Sequence, residues 1–343
     1  MSESEHRLHA IGGEEDVGAL RRSVARMAAG QRGLGVGVAE LVATELGTNL
    51  VRHAHPGGHV LVRRAGDGIE LISVDRGPGM TAADLAPPPT RLPPPPGPLS
   101  RPSRGRGLKA GLSVVRRNSA EFDWYSTRNG TVVYARLGAK SPPLEGGWCF
   151  GGVNVPLGGE GESGDAWAVV PGRRLAALAV DGLGHGPAAA AASRAAITMF
   201  EDGPVDDPGR FIQRAHQAMR ATRGAVLGLC LIDPDNGVLT YGAVGNITGR
   251  VLSATRSAHL LDRPGTLGTH LPVPRTHLQH CPWEPSSTLI LVSDGIRSGW
   301  NLEGHPRLLQ HHPTIVAAVV HRDHGRPSDD ATVLVVRKRG GMP

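Results

Sequence analysis

The segment Ser141-Pro142-Pro143-Leu144-Glu145-Gly146-Gly147 separates two halves of the chain with different hydrophobic rhythms. A Pro/Gly-rich break between unlike patterns reads as a linker between separately built cores. At 343 residues the chain is long enough for two. The expected division is residues 1–140, a linker at 141–148, and residues 149–343.

In the first half, Val17, Leu20, Val24 and Met27 recur at helical spacing within Asp16–Ala29, and a second helical pattern covers Gly37–Ala54. Strand-like runs follow at His59–Arg64 and Ile69–Asp75, across the turn Gly66-Asp67-Gly68. Ala82–Arg104 carries Pro87–Pro89 and Pro93–Pro96 and excludes regular helix or sheet interior. A helix is expected after Gly107, to about Asn118, then strands at Glu121–Thr127 and Gly130–Leu137. The second half places strands at Ala166–Val170, Arg174–Val180, Gly224–Ile232, Val238–Val244, Gly249–Leu252, Thr288–Val292 and Ala331–Val336. Helices fit Pro187–Phe200, Pro208–Ala221 and Pro313–Val320. Runs of strands with occasional helices give an α+β class rather than a βαβ array.

A net charge of +6 raises nucleic acid as a partner. The arginines are dispersed and no aromatic-interleaved basic stretch supports it, so no nucleic-acid role is expected. No apolar run reaches the length of a membrane span, and the first residues show no basic region leading into an apolar stretch. The expectation is no membrane association and a cytoplasmic location, with Cys149, Cys230 and Cys281 as isolated thiols.

Two sets of residues carry chemistry. Glu45, Asn49 and His53 share one helix face at i, i+4 and i+8. The Asn49 oxygen suits Mg²⁺ on a triphosphate, and Glu45, one turn away, suits a base for an attacking hydroxyl. Asp75 at a strand end can accept from an adenine amino group, with Gly77 and Gly79 allowing close backbone approach. Gly105 and Gly107 before a helix suit phosphates, and Lys109 is a phosphate contact. The second set is aspartates at strand ends: Asp165, Asp181 followed by Gly182, Asp294 followed by Gly295, and Asp329-Asp330. Hard divalent ions take oxygen donors, and two such ions can activate water against a phosphoester. A single Asp-Gly is more often a turn or a cap.

Taken together and in order, Glu45-Leu-Gly-Thr-Asn49-Leu-Val-Arg-His53, Asp75-Arg-Gly77-Pro-Gly79 and Gly105-Arg-Gly107-Leu108-Lys109-Ala-Gly-Leu resemble the GHKL (Bergerat) ATPase/kinase fold. The likeness is to its anti-sigma-factor kinases of RsbT type, over Ile11–Leu137. The aspartate series resembles the PPM phosphatases of SpoIIE type, RsbX-like, over Gly151–Arg337. The resemblance implies an N-terminal α/β sandwich and a C-terminal αββα sandwich. It implies ATP with Mg²⁺ in the first, with Glu45 as base, Asn49 as Mg²⁺ ligand, Asp75 as adenine anchor and Gly77, Gly79, Gly105, Gly107, Leu108 and Lys109 around the nucleotide. It implies two Mn²⁺ or Mg²⁺ in the second, with Asp181 bridging, the Gly182 carbonyl ligating, and Asp294 and Asp329 on the second ion. Asp165 is an inner or outer ligand, and the Gly245-Asn246 loop is structural. Implied partners are STAS-domain anti-anti-sigma or stressosome proteins, with a sigma factor as a further class. The chain would phosphorylate and dephosphorylate Ser/Thr on them. The alternative is an ATP-binding anti-sigma factor that sequesters its partner without phosphotransfer, fused to an independent phosphatase.

Overall fold

The computed structural model describes residues 4–31, 33–55, 57–80, 104–140, 143–159, 161–203, 205–261, 263–269 and 276–339, the side chains of 104–110 excepted. The Pro-rich stretch expected at Ala82–Arg104 lies outside the described residues, apart from the backbone of Arg104. Two compact units result, one of Leu8–Lys140 and one of Ser141–Pro343 together with Met1–Arg7. The expected boundary at residue 1 is therefore corrected: the first seven residues group with the second half of the chain.

In the Leu8–Lys140 unit the helices α1 (Glu14–Ala28), α2 (Val36–His53) and α3 (Arg104–Arg117) accompany a five-stranded sheet. Its strands are β1 (Arg7–Ile11), β2 (Gly58–Ala65), β3 (Gly68–Asp75), β4 (Glu121–Thr127) and β5 (Gly130–Leu137), in the order β1-β2-β3-β5-β4. Val17, Leu20 and Val24 of α1 and Val42, Leu46 and Leu50 of α2 form one core with Val60, Val62, Ile69 and Leu71 of the sheet. Period two then places Ser73 and Asp75 on the helix-facing side of β3. The opposite parity carries the cross-strand pair Arg63 and Glu70, joined at 2.6 Å and buried. Glu70→Ala strips a buried guanidinium of its carboxylate and is expected to cost about 3–5 kcal/mol, measured as a lowered denaturant midpoint. A change below about 1 kcal/mol would mean that Arg63 reaches solvent.

The second unit stacks two five-stranded sheets. One contains β7 (Asp165–Val170), β8 (Leu175–Gly182), β9 (Ala225–Asp233), β10 (Val238–Val244) and β13 (Leu278–Pro282), ordered β13-β10-β9-β8-β7. The other contains β6 (Trp148–Val155), β11 (Thr248–Leu252), β12 (Ser257–Leu260), β14 (Thr288–Val292) and β15 (Ala331–Lys338), ordered β12-β11-β14-β15-β6. Helices α4 (Pro187–Glu201) and α5 (Pro208–Ala218) cover the first sheet, and α6 (Pro313–His324) covers the second. Each of these helices begins on a proline, whose missing N–H costs nothing at that position. Leu175, Ala177 and Ala179 of β8 face the core between sheets, whereas Ala176, Leu178 and Val180 face the helices. Both faces of β8 are covered, so its sequence is apolar throughout.

Strand β6 begins inside the expected linker and runs through Gly151-Gly152. These glycines are there for close approach: a side chain on Gly151 would collide with Thr314 at the start of α6, and one on Gly152 with the Trp167 ring. The expected α+β class and the two sandwich architectures describe the chain.

Candidate functional site

The strand parity that builds the second core also places the acids. Asp165 and Asp181 share the parity of Trp167 and of Ala177 and Ala179, so both point between the sheets, where the apolar core ends. They stand opposite one another in the β7–β8 register. Across the sandwich β14 ends and antiparallel β15 begins, which brings Asp294 beside Asp329-Asp330. Gly295 lies against the Asp330 backbone, where any side chain would collide. Gly182 lies equally tight against the Ala189 backbone at the start of α4, and its N–H donates to the Gly164 carbonyl at 3.0 Å.

Asp165, Asp294 and Asp329 all stand close enough to Asp181 to repel its charge. Burial first, then these neighbouring carboxylates, push Asp181 up to about 9. Burial likewise pushes Asp165 up to about 8, against the stabilising hydrogen bond from Ser293 Oγ at 2.6 Å. Asp329 is raised by burial and by Asp294. Among the described residues no three of these acids close on a single point. Carboxylates gathered this closely repel one another, and bound cations would neutralise that repulsion. The donor set is all oxygen, as hard divalent ions require. In donor chemistry, though not in convergence on one point, the residues fit divalent ions.

The two acids of Asp329-Asp330 are sorted by burial. Asp330 is buried, and its carboxylate accepts from the backbone N–H of Leu157 at 2.6 Å and of Gly164 at 2.7 Å. It fastens loops, while half-exposed Asp329 lies near Asp294. Asn246, expected to be structural, donates from Nδ2 to Asp294 Oδ2 at 2.7 Å and so belongs to the acid cluster. Ser293 also escaped notice; it links Asp165 to the Thr332 N–H. His185 is exposed on the loop before α4.

In the Leu8–Lys140 unit a cavity of about 470 Å³ opens between α2, α3 and the end of the sheet. Leu46, Asn49, Leu50 and His53 contribute one helical stripe of α2, and Ser73, Asp75, Thr131 and Val133 line the sheet side. Asp75 Oδ1 accepts from the N–H groups of Gly77 at 2.7 Å and Thr131 at 3.1 Å, which fixes its carboxyl at the cavity wall. Gly79 has φ +81 and no room for a side chain against the Thr127 carbonyl. Among the described residues Asn49 Nδ2 is buried without a hydrogen-bond partner, an expensive state unless a ligand meets it.

Glu45 sits off that wall, beside Gly111 of α3, where a methyl group would come within 2.6 Å of Glu45 Oε2. Gly111 thus leaves room for the Glu45 carboxylate between α3 and α2. Gly105 and Gly107 fall inside the first turn of α3, a correction to their expected place before the helix. Leu108 and Lys109 follow in the same helix, and their side chains lie outside the described residues.

Residues 171–339 match the family model for Stage II sporulation protein E (SpoIIE), and residues 13–137 match the histidine kinase-like ATPase domain. No curated protein matches the chain. Among solved structures, a chain from "The bacterial stressosome: a modular system that has been adapted to control secondary messenger signaling" is 30% identical with a TM-score of 0.51. The match covers 55% of this chain and 99% of that one. RsbX in complex with magnesium is 21% identical over 56% of this chain and 95% of its own, with a TM-score of 0.48. The phosphatase domain and regulatory fragment of SpoIIE from Bacillus subtilis is 16% identical over 94% and 98%, with a TM-score of 0.47. On the two family models and a 30%-identical relative spanned almost end to end, the chain belongs to the SpoIIE-type PPM phosphatases and carries a histidine kinase-like ATPase domain ahead of the phosphatase.

Proposed function

We propose that the chain is a cytoplasmic bifunctional regulator of a partner-switching or stressosome-type pathway, adding phosphate to Ser/Thr of STAS-domain proteins and removing it. The observation that carries the phosphatase half is the acid cluster Asp165, Asp181, Asp294 and Asp329, gathered from four strand ends of two sheets. Asp181, the Gly182 carbonyl, Asp294 and Asp329 would hold two Mn²⁺ or Mg²⁺, and Asp165 would support Asp181 from the facing strand. Such ions, when bound, acidify water and neutralise phosphoryl oxygens. The chain's own part is orientation: Asn246 and Ser293 hold the Asp294 and Asp165 carboxylates by hydrogen bonds. Leu183, Gly184, His185 and Pro187, on the loop that follows Asp181, are exposed and would meet a phosphorylated loop of another protein.

For the first domain the reading is ATP with Mg²⁺ in the cavity, adenine at Asp75 between Gly77 and Gly79, and phosphates toward Asn49 and the start of α3. Glu45 would take the proton of the accepting Ser or Thr hydroxyl. One observation favours the second reading, an ATP-dependent anti-sigma factor that sequesters its partner: Glu45 rests against Gly111 rather than on the cavity wall. Incubation of the chain with γ-labelled ATP and a STAS-domain protein tests both readings. Label that appears on the partner, is lost on adding Mn²⁺, and fails to appear with Glu45→Ala supports the bifunctional enzyme. Partner binding without label, equal in parent and Glu45→Ala, supports sequestration instead.

A further inference from the structure

The first described residues of the chain are buried. Ser4, Glu5 and His6 are 3, 4 and 0% exposed, and they group with the phosphatase unit although the whole ATPase domain follows them in sequence. β6 and β7 are the end strands of their respective sheets, and end strands leave N–H and C=O groups unpaired. The tail answers both edges. His6 N–H donates to the Asn154 carbonyl of β6 at 2.8 Å, and His6 Nδ1 accepts from the Asn154 N–H at 3.3 Å. Ser4 Oγ accepts from the Trp167 N–H of β7 at 3.4 Å. Between them the buried Glu5 carboxylate lies beside the Ser163 backbone.

Asn154, gripped by His6, and Ser163, beside Glu5, are the residues that hold Asp165. Asn154 Nδ2 donates to the Asp165 carbonyl at 2.9 Å. Ser163 Oγ donates to Asn154 Oδ1 at 2.7 Å and accepts from the Asp165 N–H at 3.1 Å. Asp165 in turn faces Asp181. A continuous run of hydrogen bonds therefore leads from the tail to the acid cluster, in a buried setting where an unmade bond is costly.

We propose that Ser4–His6 is a positioning strap of the phosphatase: by fixing Asn154 and Ser163 it sets the Asp165 carboxylate, so the metal-holding end of the sandwich is complete only with this tail docked. The ATPase domain, entered after Arg7 and left at Ser141, is then an insertion between two parts of one phosphatase fold. This rests on the phosphatase reading above. A fragment starting at residue 141 would lack part of its own site.

The test compares the full chain with His6→Ala, His6→Asn and a chain lacking the first six residues. Mn²⁺ affinity is measured by calorimetry, kcat and KM on para-nitrophenyl phosphate, and ATP affinity as a control on the other domain. Supporting groups behind metal ligands typically carry 10–100-fold in metal affinity or activity. We expect His6→Ala and the truncation to weaken Mn²⁺ binding by about tenfold or more and to lower kcat with KM little changed. ATP affinity should hold, and His6→Asn, which keeps a side-chain acceptor for the Asn154 N–H, should restore most of the loss. A synthetic peptide of residues 1–7 should rescue the truncated chain. Parent-like Mn²⁺ affinity and kcat in the truncated chain would overturn the strap while leaving the phosphatase standing. Losses that follow only a lowered melting temperature, with no rescue by peptide or by Asn, would overturn it as well. A parent chain that neither binds Mn²⁺ nor turns over removes the phosphatase reading and the strap with it.

Discussion

Asp181→Asn is expected to lower Mn²⁺-dependent hydrolysis of para-nitrophenyl phosphate by on the order of 10³-fold or more, because it removes a charge that would hold the ions. The same substitution should make the metal-free protein less sensitive to pH. In the parent, Asp181 is held up to about 9 by burial and by Asp165, Asp294 and Asp329. Its value in the unfolded chain is about 4. Between these values the folded state binds more protons than the unfolded one, so stability falls as pH rises from about 4 toward 9. Without metal, the parent's melting temperature should decline between pH 6 and pH 9, and the decline should be shallower in Asp181→Asn. Mn²⁺ should reverse it in the parent and leave the variant nearly unmoved, since a ligand stabilises only the state that binds it. Turnover within tenfold of the parent in Asp181→Asn, or a parent indifferent to Mn²⁺ in both measurements, would refute the assignment.

Asp75→Asn should weaken ATP binding by about 5- to 150-fold, the range given by the roughly 1–3 kcal/mol of an unmet buried polar group. Asn keeps an acceptor for the Gly77 and Thr131 N–H groups that fix the side chain, so the fold should survive. What it changes is the second oxygen, replaced by a donor that opposes the adenine amino group. Titration with ATP and with GTP separates this from general damage. The loss should fall on ATP, whose base presents a donor there, and spare GTP, whose base presents a carbonyl. Equal loss for both nucleotides, with the fold intact, would place the base elsewhere in the cavity.

The α2 helix was readable because Ala39, Val42, Leu46 and Leu50 recur on one stripe, and the same periodicity puts Asn49 and His53 beside that stripe at the cavity. β8 was readable because both of its faces are apolar. β6 was not: Gly151-Gly152 interrupts its apolar pattern, in the space that α6 and Trp167 need. Short β1, β12 and β13 were passed over for a related reason, since edge strands of four or five residues carry little periodic signal. Asn246 and Ser293 escaped because their importance lies in what they touch across the sandwich.

By itself, then, the order of residues determined the two-domain plan, the kind of secondary structure in each half and the acids at the strand ends, since all of these are written in local spacing and composition. Only the tertiary structure decided that Asp330 fastens loops while Asp329 stands open, that Glu45 lies against Gly111, and that Ser4–His6 completes the distant half. Burial and hydrogen-bond partners are properties of what folds alongside a residue, and His6 and Asn154 are 148 positions apart in the chain. No local pattern in either segment records the other.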